Sequence, residues 1–300
     1  MISLNELQVF LVAAELGNFS EAGRKLSLTQ SAVSQTINNL EKHLGVKLFE
    51  RTGRTVFLSP SGQALEPMAR ELIAASKRLE ETMCSLQGKV VGEMTIGCST
   101  TSGKYLLPGL IAQFRGQYPQ VRINVIVHSR GTVINKLLNG DLPLGMSSKK
   151  VDHHDLEYQD FFTDEIILIV PKEHRWASFR QVFPDDLLDE PMILREEGAG
   201  TREMMLEGLQ AHDISPDMLN IAMILGNAEA IEMAVEEGIG IAFISRLAAA
   251  KGLALDRVVE IQVKGMQLTR SIWMARNRRF PATRAQQEFW DFVKNNHPNR

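Results

Sequence analysis

The chain has 300 residues, of which 44% are hydrophobic, 23% charged and 6% aromatic, enough for about two domains at roughly 150 residues each. Its 33 basic residues face 36 acidic ones for a formal net charge of −3, which excludes a globally basic nucleic-acid wrapper and lends no support to an acidic disordered tail. Two cysteines, Cys84 and Cys98, are too few for a disulfide framework. Met1 to Glu6 shows no secretory signal, and the longest aliphatic run, Ile166 to Val170, is far below the roughly 20 residues of a bilayer crossing. A soluble cytoplasmic protein with no membrane partner is expected.

Residues 1–60 read as short helices followed by a hairpin. Leu4, Leu7, Leu11 and Ala14 form one helical stripe, and Ala22 with Leu26 a second. Ser27-Leu28-Thr29 breaks the pattern, with Thr29 placed to cap the next helix. Val33, Ile37, Leu40 and Leu44 then recur at spacings of 4, 3 and 4, and Gly45 ends the helix. Lys47–Arg51 and Thr55–Leu58 flank the turn Thr52-Gly53-Arg54, giving two short strands.

Residues 61–88 carry one continuous helical pattern. Leu65, Met68, Leu72, Ala75, Leu79, Thr82 and Leu86 alternate spacings of 3 and 4, a heptad seam with six apolar members out of seven. An amphipathic helix lying on its own domain would look similar; its length and place between two domains favour self-association.

From Val90 onward, short apolar runs alternate with helical stretches. Strands are expected at Met94–Gly97, Val121–Val127, Ile166–Val170, Met192–Leu194, Asn220–Leu225, Ile241–Ile244 and Ser271–Ala275. Helices are expected at Leu106–Gln117, Arg202–Gln210 and Ala228–Glu236. The alternation predicts an α/β domain with a mostly parallel sheet.

The helix from Gln30 to Leu44 sets Ser31, Ser34, Gln35 and Asn38 on the face opposite its apolar stripe, at offsets 0, 3, 4 and 7. A merely solvated face would usually carry Lys and Glu. Short hydroxyls and amides instead approach base edges closely, and Gln and Asn can pair bidentately with adenine. The three-residue break before it matches a helix-turn-helix, whose second helix enters the major groove of double-stranded DNA. Thr29 and Gln30 at its start join the candidate reading surface; Arg51, Arg54, Lys42 and Lys47 are candidate phosphate contacts. Within residues 1–60 six cations against five carboxylates leave only +1, so grip on the phosphate backbone calls for duplication by dimerisation. A small helical bundle for protein contacts is the plainer alternative.

The runs Leu7-Gln8-Val9-Phe10, Asn18–Ala22, Leu28–Gln35 and Leu40–Arg51, with Leu58-Ser59-Pro60-Ser61-Gly62 beyond them, resemble the LysR-type transcriptional regulators in order, spacing and identity. The resemblance implies a winged helix-turn-helix over 1–60 (motif 19–38) and a coiled-coil dimerisation helix over 61–88. It further implies a periplasmic-binding-protein-like effector domain over 90–300, with one subdomain at 90–161 and 266–300 and the other at 162–265. It implies a homodimer, commonly a dimer of dimers on bent DNA, responding to a small-molecule effector without cofactor or metal. Two segments, Leu194–Arg202 and Leu225–Ile231, are similar to the branch controlling carbon dioxide fixation and sulfur or nitrogen assimilation, several of whose members sense phosphorylated or carboxylated metabolites.

Two loops that follow strands and open helices, Cys98–Gly103 and Glu196–Arg202, present backbone N–H groups and hydroxyls suited to a small anion. Ordinary N-capping explains either one alone; two together point to a ligand cleft. By family match, the effector contacts are expected from Ser99, Thr100 and Thr101, from Gly131 and Thr132, and from Gly200 and Thr201. Three departures stand out. Gly23 replaces a usual alanine, weakening its helix by up to about 1 kcal/mol; Gln35, Thr36, Asn38 and Asn39 stand where arginine is frequent; and Pro143 is expected to interrupt a strand at the cleft floor.

Other motifs carry less. Gly97 with Gly103-Lys104 misses the P-loop pattern, since Tyr105 replaces the Ser or Thr that the motif requires. Asp152-His153-His154-Asp155 reads as a solvated loop rather than a metal site. An enzyme on the same architecture would depend on Cys98 or His128, but no base, nucleophile and orienter are arranged around them. No catalytic residue is assigned.

Overall fold

The computed structural model describes residues 1–52, 55–86 and 89–296. The chain forms two compact units, Met1–Lys89 and Val90–Arg300.

In the first unit, three helices each start on a side-chain cap. Ser3 and Glu6 form a capping box before α1 (Leu4–Leu16), Asn18 caps α2 (Phe19–Leu26), and Thr29 caps α3 (Gln30–Leu44) by accepting the Ala32 N–H at 3.1 Å. Gly45 closes α3 in the left-handed conformation at φ 71°. The core gathers Phe10, Ala13, Phe19, Ala22, Val33, Ile37 and Leu40. On α1 the buried residues are therefore Leu7, Val9, Phe10 and Ala13; Leu4 is exposed and Leu11 and Ala14 only half-buried, because the rings of Phe10, Phe19 and Phe49 pack together and set the rotation of the helix.

The hairpin is β1 (Phe49–Thr52) against β2 (Thr55–Leu58), antiparallel. It begins at Phe49 rather than Lys47 for a local reason. The Leu48 and Phe49 N–H groups donate to the buried Glu41 carboxylate at 2.9 and 3.4 Å, and the Lys47 ammonium joins it at 2.6 Å. The long helix α4 (Pro60–Ser85) then starts on Ser59, whose hydroxyl donates to the Lys47 carbonyl and accepts the Gly62 N–H. A β-carbon at Gly62 would stand 2.2 Å from the Leu48 carbonyl oxygen, so glycine lets the first turn of α4 close on the hairpin.

The second unit carries β3 (Gly92–Cys98), a π-helical turn at Ser102–Leu106 leading into α5 (Leu107–Gln117), β4 (Val121–Val127), α6 (Arg130–Leu138), β5 (Leu144–Ser147) and the sixteen-residue β6 (Leu156–Pro171). Next come β7 (Gln181–Val182), β8 (Met192–Arg195), α7 (Gly200–Gln210), β9 (Ile221–Leu225) and α8 (Ala228–Glu236). The remainder is β10 (Ala242–Ser245), α9 (Arg246–Ala254), β11 (Val258–Val263), β12 (Leu268–Asn277) and α10 (Arg284–Asn295). The strand order is β4-β3-β5-β12-β6-β11-β7, with β10 on β6, and β8 pairs with β9 in a separate sheet.

The main sheet is mixed, not mostly parallel. The β3–β4, β3–β5 and β7–β11 pairs are parallel, whereas β6 runs antiparallel to β10, β11 and β12, and β12 antiparallel to β5. The cause is the long β6–β12 ladder, Leu156 to Ile166 against Asn277 to Leu268, two strands crossing from one half of the unit to the other. Around one half lie the clusters of Met94, Phe114, Phe161 and Phe289 and of Val133 and Leu137; around the other, those of Leu168, Met192 and Leu209 and of Ile169, Ile231 and Ile244. These two groups are called the first and second lobes. Pro143 precedes β5 instead of interrupting it, so no ladder hydrogen bond is lost to the proline and β5 is buried along its whole length.

Candidate DNA-reading surface and effector site

Gln30, Ser31, Gln35 and Asn38 are exposed on α3, Ser34 is half-buried beside them, and Val33, Ile37 and Leu40 anchor the opposite face. Thr29 is exposed but serves as the cap, with its hydroxyl 2.9 Å from that of Ser31. The Thr36 hydroxyl turns back to the Ala32 carbonyl at 2.9 Å. Of the expected phosphate contacts, Lys42 is exposed and Lys47 pairs with Glu41. Arg51 lies on β1, but its side chain, like the whole of Arg54, falls outside the described residues.

The turn between α2 and α3 is tight. The Leu28 N–H donates to the Gly23 carbonyl at 2.8 Å, and a β-carbon at Gly23 would lie 2.7 Å from the Leu28 carbonyl oxygen. The lost helix propensity of glycine is thus exchanged for a close approach that alanine would strain.

In the second unit, the expected effector residues sit at three helix starts. Ser99 follows β3, its N–H donating to the Met146 carbonyl and its hydroxyl 3.2 Å from that of Ser102. Thr100 is half-buried next to it, and Thr101 is buried and accepts from Arg270 Nη2 at 3.4 Å. Gly131 and Thr132 form the first turn of α6, where Ser129 takes the Thr132 N–H at 3.2 Å. Gly200 and Thr201 are not loop residues but the buried first turn of α7, which has no side-chain cap.

Gly200 is where these parts meet. A β-carbon there would lie 2.9 Å from Arg270 Nη1, 3.1 Å from Ser148 Oγ and 3.2 Å from Arg130 Nη1. Donors from β12, from the end of β5 and from the start of α6 thus converge on the open N-terminus of α7, whose dipole favours negative charge. Thr101 joins through Arg270, whereas the Ser99 hydroxyl pairs with that of Ser102 and the Thr132 hydroxyl with that of Ser129.

The electrostatics are built by arginines that motif reading missed. Arg270 is nearly buried, and its Nε and Nη2 donate to the Asp164 carboxylate at 3.0 and 2.7 Å. Burial draws its guanidinium below the ordinary value, and the Asp164 charge opposes that. Asp164 also accepts the Ser245 hydroxyl at 2.6 Å. Arg130 pairs with Glu203 and donates to the Gly198 carbonyl at 3.3 Å, tying the first lobe to the second. Arg195 forks onto Glu196 at 2.7 and 2.8 Å; burial raises the Glu196 carboxyl, and Arg195 more than offsets this, leaving it below the usual carboxylate value. A second tie between the lobes runs from Lys104, at 2.6 Å, and from Tyr105 to Glu229.

A separate cavity of about 490 Å³ lies in the second lobe, lined by Leu168, Phe243, Met266 and Leu268 with Glu165, Arg246 and Glu260 among its polar groups. None of the expected effector residues lines it. Cys98 is fully buried, and burial pushes its thiol up to about 11. The His153 and His154 rings stack at 4.7 Å, and His153 Nδ1 accepts the Asp155 N–H at 3.2 Å. Among the described residues no helix is long and apolar enough to cross a membrane.

The chain thus carries a helix-turn-helix with a hairpin in its first unit and a mixed α/β sheet in its second. Residues 4–63 match the family described as "Bacterial regulatory helix-turn-helix protein, lysR family", and residues 87–298 match "LysR substrate binding domain". The chain belongs to the LysR family of transcriptional regulators, and its second unit is the family's effector-binding domain. It is 32% identical to a probable RuBisCO transcriptional regulator of Porphyra purpurea over 90% of this chain and 86% of that one. It is 28% identical to the HTH-type transcriptional activator CmpR of Synechocystis over 97% and 94% of the two chains. Among solved structures, CbnR, a LysR family transcriptional regulator, matches with a TM-score of 0.68 at 20% identity, covering 98% of this chain and 99% of that chain.

Proposed function

We propose that the protein is a sequence-specific DNA-binding regulator whose activity is set by a small anionic metabolite held between the two lobes of its effector domain. The observation that carries this reading is the convergence at Gly200 of Arg130, Arg270 and Ser148 on the uncapped N-terminus of α7. Thr101 joins it through Arg270, and Thr201, Ser99, Thr100, Gly131 and Thr132 are the further effector contacts that the family resemblance implies. An anion bridging the lobes would favour their closed arrangement, and only such a difference in affinity between two arrangements can shift DNA binding. The protein holds its effector without turning it over.

Double-stranded DNA is read by Gln30, Ser31, Ser34, Gln35 and Asn38, with Thr29 at the helix start and Arg51 and Arg54 on the phosphates. The solved structure of full-length CbnR complexed with the target DNA complex, matched at a TM-score of 0.67 and 21% identity over 98% of this chain and 99% of that chain, supports DNA as the partner. Self-association, as a dimer and then a dimer of dimers, is supported by α4. Leu65, Ala69 and Ile73 of that helix pack on its own unit, while Met68, Leu72, Leu79 and Leu86 remain 51–77% exposed along one seam. The domain plan is 1–60 for DNA, 61–88 for pairing and 90–300 for the effector, with lobes at 90–161 plus 266–300 and at 162–265, in the cytoplasm.

Thermal shift against phosphorylated sugars and small dicarboxylates tests the reading. Stabilisation that disappears in Arg270→Met supports it, since a genuine ligand must stabilise the folded form; no stabilisation by any of these anions contradicts it.

A further inference from the structure

Arg130 and Arg270 reach Gly200, the charge of Arg195 acts on Arg270 from nearby, and each of the three guanidiniums is paired with a carboxylate. Asp164 holds Arg270, Glu196 holds Arg195, and Glu203 holds Arg130. The formal charge of the six groups is zero. An incoming anion therefore meets a neutral cluster unless one carboxylate gives up its place.

The three carboxylates differ in how readily they can leave. Asp164 is fully buried and also receives Ser245, so its departure would strand a buried cation. Glu196 sits next to Arg195 in sequence and holds it at two points. Glu203 is 51% exposed, while the Arg130 side chain that it neutralises is only 15% exposed. Water can therefore receive the Glu203 carboxylate at small cost, and the cation it leaves behind has little water of its own. Glu203 also lies in the first turn of α7, where the helix dipole favours a negative charge. It occupies, from within the chain, the electrostatic place that an oxyanion at Gly200 would take.

We infer that Glu203 is an internal competitor of the effector: it neutralises Arg130 until an oxyanion seated at Gly200 takes that guanidinium over, so that binding is an exchange of one carboxylate for another anionic group. This rests on the anion site proposed above. The exchange makes Glu203 a specificity-determining residue. Neutral ligands leave the Arg130–Glu203 pair in place, and those bearing a phosphate or carboxylate displace it. Because Arg130 belongs to the first lobe and Glu203 to the second, the exchange also replaces a direct tie between lobes by one that runs through the ligand.

The test is calorimetric titration of inorganic sulfate into the full chain, at an ionic strength held constant with chloride. Glu203→Gln should bind sulfate about two- to fivefold more tightly than the parent, the range of a partly exposed ion pair. Glu207→Gln, on the same helix and exposed, should leave the affinity unchanged. Gly200→Ala should abolish binding by filling the cradle. Equal affinity for the parent and Glu203→Gln, or an equal gain in Glu207→Gln, overturns the competitor while the anion site stands. Unaltered binding in Gly200→Ala, or no binding by any variant, overturns the site itself.

Discussion

Asp164 of β6 and Arg270 of β12 face each other across the crossing strands, and the carboxylate accepts from Arg270 Nε at 3.0 Å and Nη2 at 2.7 Å. The pair does two jobs. It keeps a charged guanidinium inside the unit, and it engages two of its nitrogens so that Nη1 is aimed at Gly200. Asp164→Leu would strand that cation and should cost about 3–5 kcal/mol of stability. Asp164→Leu with Arg270→Met together should cost less than Asp164→Leu alone, because the uncompensated charge is gone. Urea unfolding of the single and double variants measures the coupling directly.

The Gly23 close approach makes an opposite pair of alanine predictions. Gly23→Ala should destabilise the first unit despite the better helix propensity of alanine, since the new methyl must push the Leu28 carbonyl away from 2.7 Å. Gly116 on α5 is exposed with nothing within 4 Å of an added β-carbon. There, alanine should stabilise by about 0.5–1 kcal/mol. Thermal melts that show both variants moving in the same direction would contradict the packing.

Glu41 makes stability depend on pH. Burial raises its pKa, but the Lys47 ammonium and the Leu48 and Phe49 amides more than offset that, leaving it below the ordinary 4.5. A depressed carboxyl contributes its full stability above the unfolded value and loses it as pH falls through the folded one. The contribution should therefore be complete at pH 6 and decline below about 4.5. Glu41→Ala should cost about 1–3 kcal/mol at pH 7, the cost of leaving buried amides without an acceptor, and less at pH 3. Urea melts at the two pH values check the sign.

What was legible in the sequence was local. The Thr29 cap, the Gly45 stop, the bounds of β4 and α8 and the polar face of α3 all follow from spacing and capping within a dozen residues. What was not legible was made by distant partners. Only Ile166–Val170 of β6 reads as a strand, because the stretch before it carries Glu157, Asp160 and Asp164, which are tolerated there by the crossing partner β12. The spacing of residues announces neither helices α6, α9 and α10 nor strands β7 and β11. Arg130 and Arg270 carry no motif signal, since nothing in their neighbours announces that chain folding brings both to Gly200. The Leu65–Leu86 seam was visible, but not that Leu65 packs against its own unit's core.

The remaining seam predicts an assembly. Leu72 and Leu79 are 51% and 63% exposed, so Leu72→Glu with Leu79→Glu should leave each chain folded while converting the assembly to monomers. Sedimentation velocity reads the change. An unaltered dimer would place the pairing surface elsewhere.

The central claim is that the uncharged face of α3 reads bases. Footprinting on the DNA upstream of the protein's own gene, with the parent and with Gln35→Ala and Asn38→Ala, tests it most directly. The parent should protect a discrete site at low salt, and each substitution should lose about 1–3 kcal/mol of preference at the base it contacts, while non-specific binding stays unchanged. Protection by both variants identical to that of the parent, in position and in preference, would contradict the account.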